Sequence, residues 1–266
     1  MKVYNYLEKN YGEDPIRYWH LEKYENLKSD DLNVFVGCDY EAIQKTKVKG
    51  KKIVVHLEEV YDPYDTTEKI LTPFCDKLLT LSKTASILLE KRDYIFFPLN
   101  TECLPKKIPD LLQKKYDVCY TGNLNNTAPV PEIYTSLAQL NPKSYAIVSF
   151  FGGTHKNVSY LDKLDIISKS KITVTHNSMR MGGQLKSRQF EAAFCKSLIL
   201  CCEKYENYMQ PWFTKDEHYI TYKEGELLAS IQKTLEHIKD YDQIVERAYE
   251  LANEKFSCEH FVNQFL

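Results

Sequence analysis

His176-Asn-Ser-Met-Arg-Met-Gly-Gly-Gln-Leu-Lys-Ser-Arg-Gln-Phe-Glu-Ala-Ala-Phe-Cys-Lys-Ser-Leu-Ile-Leu200 runs from a polar, glycine-bearing loop through a helix into an apolar strand. A strand candidate at Ile172–Thr175 precedes the loop, the helix is expected over Ser187–Cys195, and Ser197–Cys202 follows as a second strand. This is the strand, helix, strand order of a parallel α/β unit. The loop offers backbone N–H groups through Gly182-Gly183, and paired glycines allow close approach of a ligand to the backbone. Lys186, Arg188 and the helix N-terminus favour negative charge, and Arg188 can fork two hydrogen bonds onto a diphosphate. Glu191, three residues after Arg188 and on the same helix side, can accept hydroxyl hydrogen bonds. The alternative for these residues is an intrahelical Arg–Glu ion pair with a solvated lysine.

The same alternation extends in both directions. Before residue 103, strands are expected at Asn33–Gly37, Lys52–Leu57, Lys77–Leu81 and Tyr94–Phe97, with helices at Asp14–Glu25, Tyr40–Thr46, Thr66–Leu71 and Ala85–Lys91. After residue 116, strands read at Asp117–Thr121, Ser144–Phe151 and His218–Thr221. Helices there read at Pro131–Leu140, Tyr160–Ser168, Glu226–Ile238 and Asp242–Phe256. Pro105, Pro109 and the polar Gln113-Lys114-Lys115 mark a boundary near residues 103–116. Two α/β units with mostly parallel sheets follow, 1–110 and 111–266. Ligands in such folds sit outside the carboxyl ends of the strands, so two facing units would place an active cleft between them.

Bulk properties exclude several classes. The 266 residues, 43% hydrophobic and 27% charged, suit a globular chain with a core. A net charge of -2 argues against a nucleic-acid binder, and the scattered lysines of Lys45–Lys52 and Lys106–Lys115 read as solvated faces. Eight cysteines include no Cys-x-x-Cys pair, which fits reduced core thiols of a cytoplasmic protein rather than a disulfide frame or zinc site. The N-terminus lacks the apolar run of a signal peptide. No stretch reaches the roughly 20 apolar residues that span a bilayer, which leaves peripheral membrane contact open. Asp240-Tyr-Asp242 resembles a metal-binding pair but falls between two helices, where Asp is a good N-cap. Asp62-Pro-Tyr-Asp65 reads as a turn.

Arg188-x-Phe-Glu-Ala-Ala-Phe-Cys-Lys-Ser-Leu-Ile-Leu resembles the "R-x-F-E-A-x-A-x-G-x-x-x-I" segment of GT-B glycosyltransferases. Tyr219-Ile-Thr-Tyr-Lys-Glu-Gly-Glu-Leu-Leu resembles the later strand, x-E-L, helix passage of that family. Upstream, Tyr116-Asp-Val-Cys-Tyr-Thr-Gly-Asn-Leu is similar to the first strand and glycine turn of its nucleotide-sugar domain. The resemblance spans about residues 116–266 and implies two Rossmann-like domains facing a central cleft. A compact N-terminal acceptor domain would precede a C-terminal donor domain whose last helix crosses back.

It further implies transfer of a sugar from a nucleoside diphosphate sugar, carrying UDP or GDP, to a hydroxyl of a glycan or similar acceptor. By the resemblance, Lys186 and Arg188 neutralise the diphosphate and Glu191 accepts ribose hydroxyls. Gly122 and Asn123 approach the phosphates or the sugar, and His176, Asn177, Tyr219 and Tyr222 flank the base. Two positions depart from the pattern. Lys196 stands where the family has glycine, so a different helix-to-strand turn is expected. Gln184 stands where many retaining members have a second glutamate, which favours an inverting outcome.

For the acceptor side, Val54-Val55-His56-Leu57-Glu58-Glu59 is the local candidate. Strand alternation puts His56 and Glu58 on one face, and a carboxylate at the strand end could take the acceptor proton. Glu58 is the first choice as base, followed by His56 and Asp39. The alternative is rim carboxylates and a satisfied core histidine. No metal and no other cofactor is required, because cations and a helix dipole can stabilise a diphosphate leaving group. The rival readings are a nucleotide-sugar epimerase and a non-catalytic nucleotide-sugar-binding subunit of a partner enzyme.

Overall fold

The computed structural model describes residues 2–5, 23, 32–36, 49–56, 72–81, 92–122, 130–141, 143–148, 158–176 and 185–266. The chain forms two compact units. One comprises Met1–Asn100, Ser178–Lys186 and Phe256–Leu266, and the other Thr101–Asn177 and Ser187–Lys255.

The first unit holds a five-stranded parallel sheet of β1 (Lys2–Asn5), β2 (Leu32–Val36), β3 (Lys51–His56), β4 (Lys77–Thr80) and β5 (Arg92–Tyr94). The spatial order is β1-β2-β3-β4-β5, so strand order follows chain order throughout. All five residues of β2 are buried, as are Ile53, Val54 and Val55 of β3, the near-continuous apolar pattern of parallel strands covered on both faces. Asn33, the one polar residue of β2, donates from Nδ2 to the Lys49 carbonyl at 2.9 Å. The sequence placed the last strand at Tyr94–Phe97; β4 ends at Thr80, so after the bond from the Ile95 N–H to the Thr80 carbonyl (2.9 Å) no edge is left to pair. The chain continues buried but irregular to Leu99, which bridges Ser257.

That bridge introduces a helix the sequence reading lacked, Cys258–Phe265. Ser257 caps it by accepting the His260 N–H at 3.1 Å. Phe261, Val262 and Phe265 face inward, and Phe96 meets Phe256, Phe261 and Phe265 with centroids 5.3–5.9 Å apart. Lys77 closes the far end by donating to the Phe265 carbonyl at 3.2 Å.

The second unit is a five-stranded parallel sheet of β6 (Tyr116–Thr121), β7 (Tyr145–Val148), β8 (Ser170–Thr175), β9 (Leu198–Cys202) and β10 (Ile220–Tyr222), in the order β10-β9-β8-β6-β7. Its helices of eight or more residues are α1 (Val130–Ala138), α2 (Tyr160–Ser168), α3 (Ser187–Phe194), α4 (Leu227–Glu236) and α5 (Asp242–Lys255), and the first unit's terminal helix is α6. β9, Leu-Ile-Leu-Cys-Cys, is buried at every position and lies inside the sheet. α2 starts at Ser159, whose Oγ accepts from the Asp162 N–H. The strand expected at His218–Thr221 starts later, because the Thr214 N–H donates to His218 Nδ1 (3.0 Å) and the Asp216 N–H to the Tyr219 carbonyl (2.8 Å), closing a turn there.

From β6 the chain passes to β7 on one side and then crosses β6 to reach β8 on the other. The strand order therefore reverses between β6 and β8, and such a reversal opens a crevice at the carboxyl ends. Of the candidates, Gly122 and His176 lie at the ends of β6 and β8 there.

Candidate functional site

β6 ends in Tyr120 and Thr121 followed by Gly122, and β8 ends in Thr175 followed by His176. α3 begins beside them, with Arg188 in its first turn. The Arg188 guanidinium carbon lies 5.3 Å from the centre of the Tyr120 ring. Tyr120 is fully buried, its hydroxyl is 3.0 Å from His176 Nε2, and the Tyr120 and His176 rings stack at 5.9 Å with a 21° tilt. Arg188 and His176 thus both pack on one buried aromatic ring.

Gly122 makes this arrangement possible. A Cβ at that position would come within 2.8 Å of Arg188 Nη2 and 2.8 Å of the Tyr120 hydroxyl. The glycine at the end of the first strand therefore admits the arginine. One nitrogen of that fork is left over: Arg188 Nη1 is buried and has no hydrogen-bond partner among the described residues. Thr121 Oγ1, at the end of β6, is buried without a partner as well. A buried guanidinium nitrogen with nothing to donate to is costly, and an anion at the crevice would satisfy it.

Glu191 is placed differently. It is fully buried, and Lys163 of α2 donates to its Oε1 at 2.9 Å while lying 2.7 Å from Oε2 in an ion pair without hydrogen-bond geometry. Lys163 is itself only 16% exposed. The Arg188–Glu191 intrahelical pair that spacing allowed is absent among the described ion pairs; the carboxylate is held by α2 instead. Lysine carried no signal in the sequence, since only the tertiary fold brings α2 against α3.

Tyr219 precedes β10 and Tyr222 ends it, 1% and 2% exposed. Burial pushes both phenols above their ordinary range, so each is a core residue in this structure and neither presents an open face. Lys186 is half-buried, one residue before α3. Asn123, Asn177, Gly183, Gln184, Asp39 and Glu58 lie outside the described residues. For His56 the backbone alone is described, closing β3 opposite Thr80. Tyr120 was not singled out from sequence; its position two residues before the strand-end glycine, on the same strand face, was the available signal.

Two lysines depart from their sequence reading. Lys114, expected on a solvated face, is 5% exposed and donates to the carbonyls of Ser168 and Cys195 (the latter at 3.0 Å), which lie at the C-terminal ends of α2 and α3. Burial lowers its pKa to about 8. Lys196 was expected to force a different turn, but the turn keeps the form that glycine would give it. Its φ is +51°, its N–H donates to the Ala193 carbonyl (3.1 Å), and the Ser197 N–H donates to the Ala192 carbonyl (3.0 Å). That is a Schellman close with lysine in the left-handed position.

Asp240 and Asp242 are exposed, the first in a 3-10 turn and the second opening α5. No group of three or more His, Cys, Asp or Glu with metal-holding geometry occurs among the described residues. No described helix is long and apolar enough to cross a membrane.

Residues 142–266 match the family described as glycosyl transferase-like. No curated protein matches the chain. Among solved structures, Anabaena HepE in complex with UDP and glucose is similar with a TM-score of 0.64 at 11% identity, over 88% of this chain and 76% of that one. TarM, a protein of S. aureus, gives 0.61 at 11% identity over 88% and 53%. An α-glucosyltransferase in complex with UDP and a 13-mer DNA gives 0.60 at 11% identity over 88% and 79%. The chain spans about half the length of TarM. The fold agrees with the sequence reading, and the strand-order reversal that carries Arg188 lies in the unit to which most of the family match belongs. The chain has the GT-B fold of these structures, and its residues 142–266 match the glycosyl transferase-like family.

Proposed function

We propose that this protein transfers a sugar from a nucleoside diphosphate sugar, with UDP as the first candidate, to a hydroxyl of a glycan or similar acceptor. The observation that carries the reading is Arg188: a cation fixed at the strand-order reversal with one buried nitrogen unsatisfied. A diphosphate oxygen at Nη1 would complete the fork. The N-terminus of α3, starting at Ser187, adds its dipole, and Lys186 adds a second cation. UDP in two of the similar structures supports the choice of base.

In this reading the bond between the sugar carbon and the diphosphate oxygen breaks as the acceptor oxygen attacks that carbon. The charge left on UDP is stabilised by Arg188, Lys186 and the helix dipole, with no metal ion. The acceptor proton passes to a carboxylate or imidazole, with Glu58, then His56, then Asp39 as candidates, and Gln184 in place of a second glutamate favours inversion. Gly122 and Asn123 would lie near the phosphates or the sugar, Gly183 would allow close approach of the ligand to the backbone, and His176 and Asn177 would flank the base. Glu191 would meet a ribose hydroxyl only after displacing Lys163, and Tyr219 and Tyr222 would border the base through backbone. The net charge of -2 supports a glycan rather than a nucleic acid as acceptor, and buried free thiols such as Cys119, Cys195 and Cys201 support a cytoplasmic site of action.

Calorimetric titration with UDP, GDP, CMP and TDP tests the donor site. UDP is expected to bind, and Arg188→Ala to weaken it by about 10–100-fold, the range for hydrogen bonds to charged groups. Unchanged UDP affinity in Arg188→Ala, or no binding of any nucleotide, would overturn the assignment. Turnover of UDP-sugar without acceptor would instead indicate the epimerase. Binding without turnover on any acceptor would indicate the non-catalytic subunit.

A further inference from the structure

Tyr120 is fully buried inside β6, yet its ring and its hydroxyl both serve the crevice rather than the core. The ring is the surface on which Arg188 lies, 5.3 Å from guanidinium carbon to ring centre. The hydroxyl is 3.0 Å from His176 Nε2. Gly122, next but one along the strand, leaves the gap that Arg188 Nη2 and the Tyr120 hydroxyl share, each 2.8 Å from where a Cβ would stand. A guanidinium is free to rotate about its long side chain, and a fork with an unsatisfied buried nitrogen would turn away unless something held it. The β6 ring and the gap at Gly122 remove that freedom before a ligand arrives.

We infer that Tyr120 is a positioning residue for the donor diphosphate: it holds Arg188 with Nη1 aimed into the crevice, and His176 in turn fixes the Tyr120 ring. The inference rests on the reading of Arg188 as the diphosphate ligand. Holding a cation in its bound orientation strengthens binding by removing an ordering cost at the moment of association. Contacts of this kind between a guanidinium and an aromatic face are worth up to about 30-fold in an equilibrium constant when desolvated.

A double-mutant cycle on UDP affinity tests it, with each variant's folding checked by thermal melting. Tyr120→Leu is expected to weaken UDP binding about tenfold in the parent. In the Arg188→Ala background the same change is expected to have no further effect, because there is no guanidinium left to orient. Tyr120→Phe keeps the ring and the core volume and loses the bond to His176, so it is expected to show the same pattern with a loss of about threefold. It also keeps the test open if Tyr120→Leu fails to fold. Equal losses from the Tyr120 variants in both backgrounds would mean a general structural role and overturn the inference. Full UDP affinity in both Tyr120 variants, with Arg188→Ala still weakened, would overturn it too. Unchanged affinity in Arg188→Ala alone would instead remove the donor-site reading on which it depends.

Discussion

The two ends of α3 carry opposite kinds of charge economy. At the N-terminal end, Arg188 sits against Gly122 and Tyr120 with one buried nitrogen unmet. From the second turn onward the described charges are paired, Glu191 with Lys163 and Lys196 with Glu246 at 2.7 Å, and Lys114 donates to the Cys195 carbonyl. Folding alone favours the second arrangement. An orphaned donor persists at the first end because the fold places it over a strand-order reversal, where a ligand can complete it. Substitutions at the satisfied end should therefore change stability, and those at the open end should change binding.

The strongest break in that contrast is at Lys163. Lys163→Ala would strand the Glu191 carboxylate in the interior, and removing one partner of a buried pair costs about 3–5 kcal/mol. Chemical denaturation should show that loss. Replacing both partners, as Lys163→Met with Glu191→Leu, should recover most of it, since a well-packed apolar pair is often neutral to a buried ion pair. The double variant also sharpens the ribose role. Intact UDP affinity in a stable double variant would assign Glu191 to stability alone.

Lys114 ranks next. Lys114→Ala exposes two buried carbonyls at helix ends to no partner and is expected to cost about 2–4 kcal/mol. The folded pKa, about 8, lies below the ordinary lysine value of 10.5, so the unfolded chain binds more protons between those values. Stability from this group is fully present above pH 10.5 and is lost as pH falls through 8. The stability difference between the parent and Lys114→Met should accordingly widen as pH rises from 8 to 10.5. A flat difference over that range would remove the burial effect from the account.

At the open end, Arg188→Ala loses the contact with the buried Tyr120 ring but also removes an unmet buried donor; these oppose each other, so stability should change by less than about 1 kcal/mol while UDP binding weakens. A large destabilisation would mean that Arg188 belongs with the satisfied half of α3 after all.

The sequence made the second sheet readable because its signals are local. Val118, Ile172 and the run Leu198–Cys202 form short apolar segments, Ser159 marks a helix start, and Arg188 with Glu191 follows a glycine-bearing loop. What it hid is tertiary. Lys163 is an ordinary helix lysine until α3 lies beside it. Lys114 sits in a stretch whose prolines and lysines spell a solvated linker, and only the meeting of two helix ends buries it. α6 was missed because Ser257 follows Phe256 so closely that the two helices read as one ending. Tyr120 was not singled out because a strand tyrosine carries no sign of its partners; its ring meets the arginine beside a gap that only Gly122 leaves.

The smallest expected effect is at Lys196, where two opposing contributions nearly cancel. A left-handed backbone costs a non-glycine residue about 1–2 kcal/mol, which Lys196→Gly would relieve. The same change removes the Glu246 ion pair, worth about 0.2–1 kcal/mol for a partly exposed pair. It also removes the ammonium 4.6 Å from the Tyr249 ring, worth about 0.5–1 kcal/mol at an exposed site. Lys196→Gly should therefore shift stability by less than about 0.5 kcal/mol, and Lys196→Ala, which keeps the strain and loses both contacts, should cost about 1 kcal/mol more than glycine. In a Glu246→Gln, Tyr249→Leu background the lysine has nothing left to hold, and glycine should then stabilise by about 1 kcal/mol. If glycine stabilised the parent by that amount, Glu246 and Tyr249 would contribute nothing. The closed end of α3 would then rest on Lys163 and Lys114 alone.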